Sequence, residues 1–398
     1  MAMSSLGPSP SQRPSLGKRI AYVTATIEPC SPNHAELSPM PRRLSSCPGG
    51  RLGRRAFLGH GLAVAAASTM PCRAFGQNKQ VNIYNWDTYI GDATLDDFTE
   101  ATRIAVRYDL FSSNDELFAK LREDNPGYDV IFPSNNYVER LIAAKMIEPL
   151  DHTKLPNIAN LAQRFQNPTY DPGLAHSVPY FWGTQGIGYR KSAANPAPTK
   201  WADMLASDRF KNRIASLNDA DIVRAALKFL GYSLDTRDKT QIDEAADALI
   251  KTRPNIKAFA PDTGQDLLSS GEVDVCMEWS GDIQQVIAED NDLAYTVPEE
   301  GALLWVDAMC IARGAPHLDN AYAFINFILD AKIHGKIASE IKFACPNRAA
   351  LEYIPEADRT NRAIYPSDAT LTRCEFATYK GEEVEGFYES ALNRVLAA

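Results

Sequence analysis

Val81-Asn82-Ile83-Tyr84-Asn85-Trp86, Ile104-Ala105-Val106-Arg107-Tyr108-Asp109-Leu110 and Tyr128-Asp129-Val130-Ile131-Phe132 are three apolar runs of strand length, and what lies between them decides the fold. Residues 93–102, with apolar Leu95 and Phe98, and residues 115–122 carry helical spacing, so the order is β-α-β-α-β. Pro133 breaks the third run, and a helix over 137–144 precedes a last strand at 147–150. Alternation of this kind calls for a parallel sheet with helices on its faces, an α/β fold. A second cycle has strands at 213–217, 272–279 and 302–311 and helices at 221–230, 242–251 and 282–289; further helices follow at 318–329 and from 384 onward. Between the cycles, residues 178–189 mix prolines, glycines and aromatics and read as a crossing rather than a regular element. No internal repeat is visible in the sequence.

The amino end indicates where the protein works. Arg54-Arg55-Ala56-Phe57-Leu58 is a twin-arginine pattern, followed by the small, apolar stretch 59–70 and an A-x-A-like cleavage site at Cys72-Arg73-Ala74. That stretch is short for a bilayer core of about 30 Å. Export by the twin-arginine route, a mature start near Phe75 and a periplasmic location are therefore expected. A leader of 1–74 leaves 324 of the 398 residues, more than one hydrophobic core usually serves, so two lobes are expected. The leader carries nine of the 41 Lys and Arg and two of the 50 Asp and Glu; 32 basic against 48 acidic residues remain, a formal charge of −16. Such a chain repels nucleic acid and tolerates cationic solutes.

Three of the five tryptophans stand beside a carboxylate at the end of a predicted strand: Trp86 with Asp87, Trp279 with Asp282, Trp305 with Asp307. Taken singly, each pair also reads as a lid over the core beside a helix N-cap. Recurrence in three distant segments favours a shared site, because ligands of α/β proteins bind off the carboxyl ends of the strands. A tryptophan face beside a carboxylate suits an organic ammonium ion, so a cation-binding cleft is expected.

Other chemistries leave no trace. The chain has no G-x-S-x-G, H-E-x-x-H or P-loop pattern and no C-x-x-C or His/Cys cluster, so a binding protein without metal or cofactor is expected rather than an enzyme. Cys276 and Cys310 lie in apolar strand runs and read as buried small hydrophobes; Cys345 and Cys374 could pair in an oxidising compartment.

Seven ordered landmarks then carry a resemblance. They are Val81-Asn82-Ile83-Tyr84-Asn85-Trp86-Asp87-Thr88-Tyr89-Ile90, Tyr128 to Ser134, Pro179-Tyr180-Phe181-Trp182-Gly183, Trp201-Ala202-Asp203-Met204-Leu205, Leu230-Gly231-Tyr232-Ser233, Met277-Glu278-Trp279-Ser280-Gly281-Asp282, and Glu300 through Trp305 to Asp307. Together they resemble the spermidine/putrescine-binding periplasmic proteins, the substrate-binding component of polyamine ABC transporters, over nearly all of residues 79–398. The resemblance implies a two-lobed periplasmic binding protein fold of type II, with parallel-sheet lobes joined by crossover segments. Lobe 1 would comprise 75–181 and 306–350, lobe 2 182–305 and 351–398. It also implies a polyamine clamped between the lobes and delivered to an inner-membrane permease and its ATPase.

By position, Trp86 and Tyr89 would be aromatic walls from the first lobe, with Asp87 beside them and Ser134 bonding an amine. From the second lobe Asp221 would be an acidic amine ligand, Trp279 and Trp305 would sandwich the methylene chain, and Asp307 would bind an ammonium. Asp282 matches an acidic position of putrescine-type members. Phe343 stands where the family usually has a tyrosine, Asn136 where spermidine-type members have an aromatic, and Asp87 where Ser or Thr is usual. An alternative within the same class is a binder of another aminated solute, such as 4-aminobutyrate or an opine, which needs a basic residue for the ligand carboxylate. Arg190 and Arg224 are the candidates for that role, though surface placement is expected for both.

Overall fold

The computed structural model describes residues 79–398 apart from Glu123 and Asp262, and the twin-arginine pattern and cleavage site lie outside the described residues. The strands are β1 (Gln80–Trp86), β2 (Ala105–Phe111), β3 (Val130–Ile131), β4 (Ser177–Arg190), β5 (Ile214–Ser216), β6 (Ile256–Phe259), β7 (Val275–Trp279), β8 (Leu293–Thr296), β9 (Leu303–Ile311) and β10 (Glu375–Phe376).

Strand burial follows position in the sheet. β1 lies between β2 and β3, and its five central residues are all buried, as a strand covered on both faces must be. β2 is at the edge and exposes Arg107, whose pairing with Asp109 at 2.6 Å leaves a charged rim there.

Pairing runs β2-β1-β3-β9-β4 in one lobe and β6-β5-β7-β4-β8 in the other, with the first three strands of each parallel, the fourth antiparallel to them and the fifth antiparallel to the fourth. The two lobes thus repeat one strand order that leaves no trace as a sequence repeat. The sheets are accordingly mixed rather than purely parallel.

The crossing is a strand. Residues 177–190 form the regular strand β4, whose first part pairs with β9 (Ser177↔Cys310 to Thr184↔Leu304) and whose last part pairs with β7 (Gln185↔Trp279 to Tyr189↔Val275). Its Pro179 sits where the register shifts, and its glycines make room for neighbours. A Cβ on Gly183 would lie 2.7 Å from Ser280 Oγ and 2.8 Å from the Trp305 ring. Conversely, 147–150 forms only an isolated bridge, Ile147 with Ala312.

Each sheet is covered on both faces. In the first lobe, Val81, Ile83, Phe132 and Met309 pack against Phe324, Ile325 and Ile337 of the helices Leu318–Ile328 and Ala331–Ile341. Tyr84, Ile131 and Cys310 meet Leu117 and Leu141 on the opposite face. In the second, Ile214, Val275 and Met277 pack against Val223, Leu227, Ile242 and Tyr388, and Ala215 and Cys276 against Leu268 and Ile283. Cys345 belongs to the first core and Cys374 to the second, and both are free buried thiols rather than a pair.

Candidate functional site

The parallel strands β1, β2, β3, β5, β6 and β7 all aim their carboxyl ends at one cavity of about 140 Å³. β1 delivers Trp86, Asp87 and Tyr89; the turn after β2 delivers Asn114 and Asp115; Ser134 follows β3. Asp219 and Asp221 follow β5, Pro261 follows β6, and β7 ends on Trp279 with Asp282 after it. The antiparallel β9 crosses with Trp305 and Asp307, two residues apart and on one face. Phe343 and Glu385 complete the wall. All ten residues expected at the site line this cavity: Trp86, Asp87, Tyr89, Ser134, Asp221, Trp279, Asp282, Trp305, Asp307 and Phe343.

Asp307 is the best-built carboxylate. It is buried, and Ser134 Oγ donates to its Oδ1 at 2.6 Å. Ser134 is the N-cap of the helix Asn135–Ala143, a position where a serine hydroxyl ordinarily bonds the helix's own N–H groups. Here it makes no such bond; it accepts from Asn114 Nδ2 at 2.9 Å while the Asn114 carbonyl takes the Ser134 N–H at 3.1 Å. The Tyr89 phenol faces the same carboxylate, and burial, followed by the Asp307 charge, holds it well above its ordinary range.

The aromatic walls are fixed but differ from expectation. Trp86 Nε1 donates to the Phe132 carbonyl at 2.9 Å, which sets the plane of that indole. Trp279 and Trp305 meet edge to face, with centroids 5.9 Å apart and planes at 80°, so no methylene chain passes between them and the expected sandwich does not exist in this arrangement. Trp305 is the third residue of β9 rather than a strand end, and it packs in the first core. Asp307 likewise bonds the first lobe, so both belong to that side of the cleft. Phe343 stacks edge-on with Tyr89 and Trp305 at 5.2 Å each, and its ring lies against Gly281, where a Cβ would come within 2.4 Å. Gly281 is thus needed for close approach of the lobes.

The alternative roles of the acids also resolve. Asp87 is exposed and accepts from its neighbour's N–H, Thr88, at 2.8 Å; the helix Thr94–Thr102 is capped by Ala93, so Asp87 is not its cap. Asp282 is buried in the first turn of Ser280–Glu289, whose N-cap is Trp279, and accepts from Gln285 Nε2 at 3.5 Å.

Asp221 has an inbuilt partner, Arg224, whose Nε lies 3.1 Å away across one helical turn. Arg224 was expected at the surface; it is only 2 % exposed, rests 4.2 Å over the Tyr388 ring and lines the cavity. Burial raises the Asp221 carboxyl while Arg224 pulls it down, and burial together with the Asp221 charge holds Asp219 well above the usual carboxylate range. Arg190 lies elsewhere, paired with Asp290 and Asp292. Sequence reading missed Asn114, Asp115 and Glu385 altogether. The spacing of Asp221 and Arg224, three residues apart on a helix, was a legible sign of their pairing.

Among the described residues the cavity wall therefore carries seven acidic side chains, Asp87, Asp115, Asp219, Asp221, Asp282, Asp307 and Glu385, against one basic side chain, Arg224. With its aromatic walls, it can hold an organic cation.

Comparison with known proteins agrees with this geometry. Residues 93–357 match the family model described as bacterial extracellular solute-binding protein. The chain is 32% identical over 338 residues to the spermidine/putrescine-binding periplasmic protein of Salmonella typhimurium, covering 84% of this chain and 97% of that one. It is 34% identical over 315 residues to the putrescine-binding periplasmic protein SpuD of Pseudomonas aeruginosa, covering 74% and 86%. Among solved structures, a putative spermidine/putrescine ABC transporter from Listeria monocytogenes superposes with a TM-score of 0.77 at 31% identity, over 80% of this chain and 99% of that one. The chain belongs to the bacterial extracellular solute-binding proteins, in the family that includes the spermidine/putrescine-binding periplasmic proteins.

Proposed function

We propose that the protein captures a polyamine of the putrescine/spermidine class in the inter-lobe cleft and delivers it to an inner-membrane ABC permease and its ATPase. The observation that carries the reading is Asp307: a buried carboxylate aimed by Ser134 and Asn114, walled by Trp305 and Tyr89, in a cavity with seven acids and one arginine. An ammonium there gains about 0.5–2 kcal/mol per cation–π contact and about 1.5–3 per charged hydrogen bond. Two or three of each offset the freedom the ligand loses and reach micromolar affinity, about 8 kcal/mol.

The lobes of this reading are 75–181 with 306–350, and 182–305 with 351–398, except that Trp305 and Ile354 pack in the core of the first; they close on the ligand as hinged domains do. The place of action is the periplasm, reached by the twin-arginine route; replacing Arg54 and Arg55 by lysine should leave precursor in the cytoplasm, and normal export of that variant would refute the route.

Calorimetry with putrescine, spermidine and 4-aminobutyrate tests the function. At least one polyamine should bind at micromolar concentration or tighter, without turnover. Tighter binding of 4-aminobutyrate than of either polyamine would move the assignment to amino-acid-like solutes. That alternative needs a cation free to meet a carboxylate, and Arg224 is already engaged by Asp221.

A further inference from the structure

Arg224 is a cation built into the wall of a cleft otherwise lined with acids. Its Nε faces Asp221 at 3.1 Å, one terminal nitrogen donates to the Leu234 carbonyl at 3.3 Å, and the other stands 3.9 Å from Glu385. Tyr388, over which the guanidinium lies, is itself held by hydrogen bonds to the Leu234 and Thr236 carbonyls at 3.0 and 2.9 Å. The guanidinium is thus flanked by Asp221, the Leu234 carbonyl and the Tyr388 ring. It sits where an ammonium ion of a long ligand would find its counter-charges.

The space agrees. A cavity of about 140 Å³ is close to the roughly 150 Å³ engineered site that holds benzene, a molecule of six heavy atoms. A four-carbon diamine has the same number of heavy atoms; a triamine of the spermidine kind has four more and a third charge. On the first-lobe side Asp307 accepts from the Ser134 hydroxyl, whereas on the second-lobe side Asp221 already faces a guanidinium, so the two sides of the cleft differ in built-in charge.

We infer that Arg224 is a specificity-determining residue that limits ligand length: by occupying Asp221 and Glu385 it removes the anchorage a third ammonium requires, so the cleft selects short diamines over longer polyamines. The inference rests on the amine-binding reading above. It follows that the preference is set by the wall and not by the Asp307 end.

The test is calorimetry on the wild-type chain with putrescine, cadaverine, spermidine and spermine, repeated on Arg224→Gln and Arg224→Lys, with a melting curve for each. The wild type should favour the two diamines over spermidine by about tenfold or more. Arg224→Gln should narrow that ratio at least tenfold by tightening spermidine, and Arg224→Lys, which restores the cation, should bring it back toward the wild-type value. A wild type that binds spermidine as tightly as putrescine, or a ratio unmoved in the glutamine variant, overturns the inference. If the glutamine variant fails to melt cooperatively, the wild-type series alone decides. Wild type that binds none of the four amines defeats the functional assignment itself, a distinct outcome.

Discussion

The two lobes share one strand order and place different chemistry at its open end. The first presents Asp307, a buried carboxylate that accepts from the Ser134 hydroxyl, itself held by the Asn114 amide. The second presents Asp221, a carboxylate already answered by a buried arginine. A hydroxyl orients a charge without cancelling it, whereas a guanidinium at 3.1 Å cancels most of the charge it meets. The same residue type lines the cavity from both lobes, answered by a hydroxyl in one and by a buried arginine in the other.

Asp307→Asn gives the largest expected effect. It keeps the shape and the acceptor for Ser134 but removes the charge, and affinity for putrescine should fall by about 2–4 kcal/mol, with little change in Tm. An affinity within threefold of wild type would end the distinction between the lobes.

The cores should also part in acid. His334 of the first core is fully buried, and its Nε2 lies 2.8 Å from the Tyr180 carbonyl; burial pushes its pKa down to about 4. The second core buries no histidine among the described residues. Above pH 6.5 the ring is neutral in both native and unfolded chains and costs nothing. Between about 6.5 and about 4 the unfolded chain takes up a proton that the native chain refuses, so stability falls by about 3 kcal/mol over that window. His334→Gln, which retains a donor, should flatten the fall of Tm between pH 7 and 4.5; parallel curves would show that another group controls it.

Asp221→Asn should do the reverse of Asp307→Asn. Leaving Arg224 without its nearest counter-charge should cost about 2–3 kcal/mol of stability in urea titration, more than it costs in putrescine binding. A binding loss larger than the stability loss would make Asp221 a ligand group after all. Asp87→Asn should have the smallest effect, below about 1 kcal/mol of affinity, since this carboxylate is exposed and screened by solvent; titration at low and physiological salt measures it.

Much of this was legible in the sequence because it is local. The buried run 81–86, the apolar 130–132 and the tryptophan–aspartate spacing all follow from a few consecutive residues. What was not legible depends on partners far away. Residues 178–189 looked irregular because glycine and proline usually interrupt strands, yet Gly183 is small to admit Trp305 and Ser280. The sequence leads one to expect that Trp279 and Trp305 converge, but whether two rings lie parallel or edge-on is a packing outcome that spacing does not encode. Glu385 reaches the cavity from the carboxyl-terminal helix Glu382–Leu396, with no motif to announce it.

The shared strands also govern the order in which the molecule can be completed as it emerges from the ribosome. β9, which the first lobe needs between β3 and β4, is made only after β5 to β8 of the second lobe. The second core in turn draws on Tyr388, Ala391 and Val395 of the helix Glu382–Leu396. Each lobe therefore closes its core only through pairings of long sequence separation, the kind that fold slowly. A chain truncated before residue 382 should lose cooperative unfolding in both lobes and bind no ligand, even though most of the residues lining the cavity are retained.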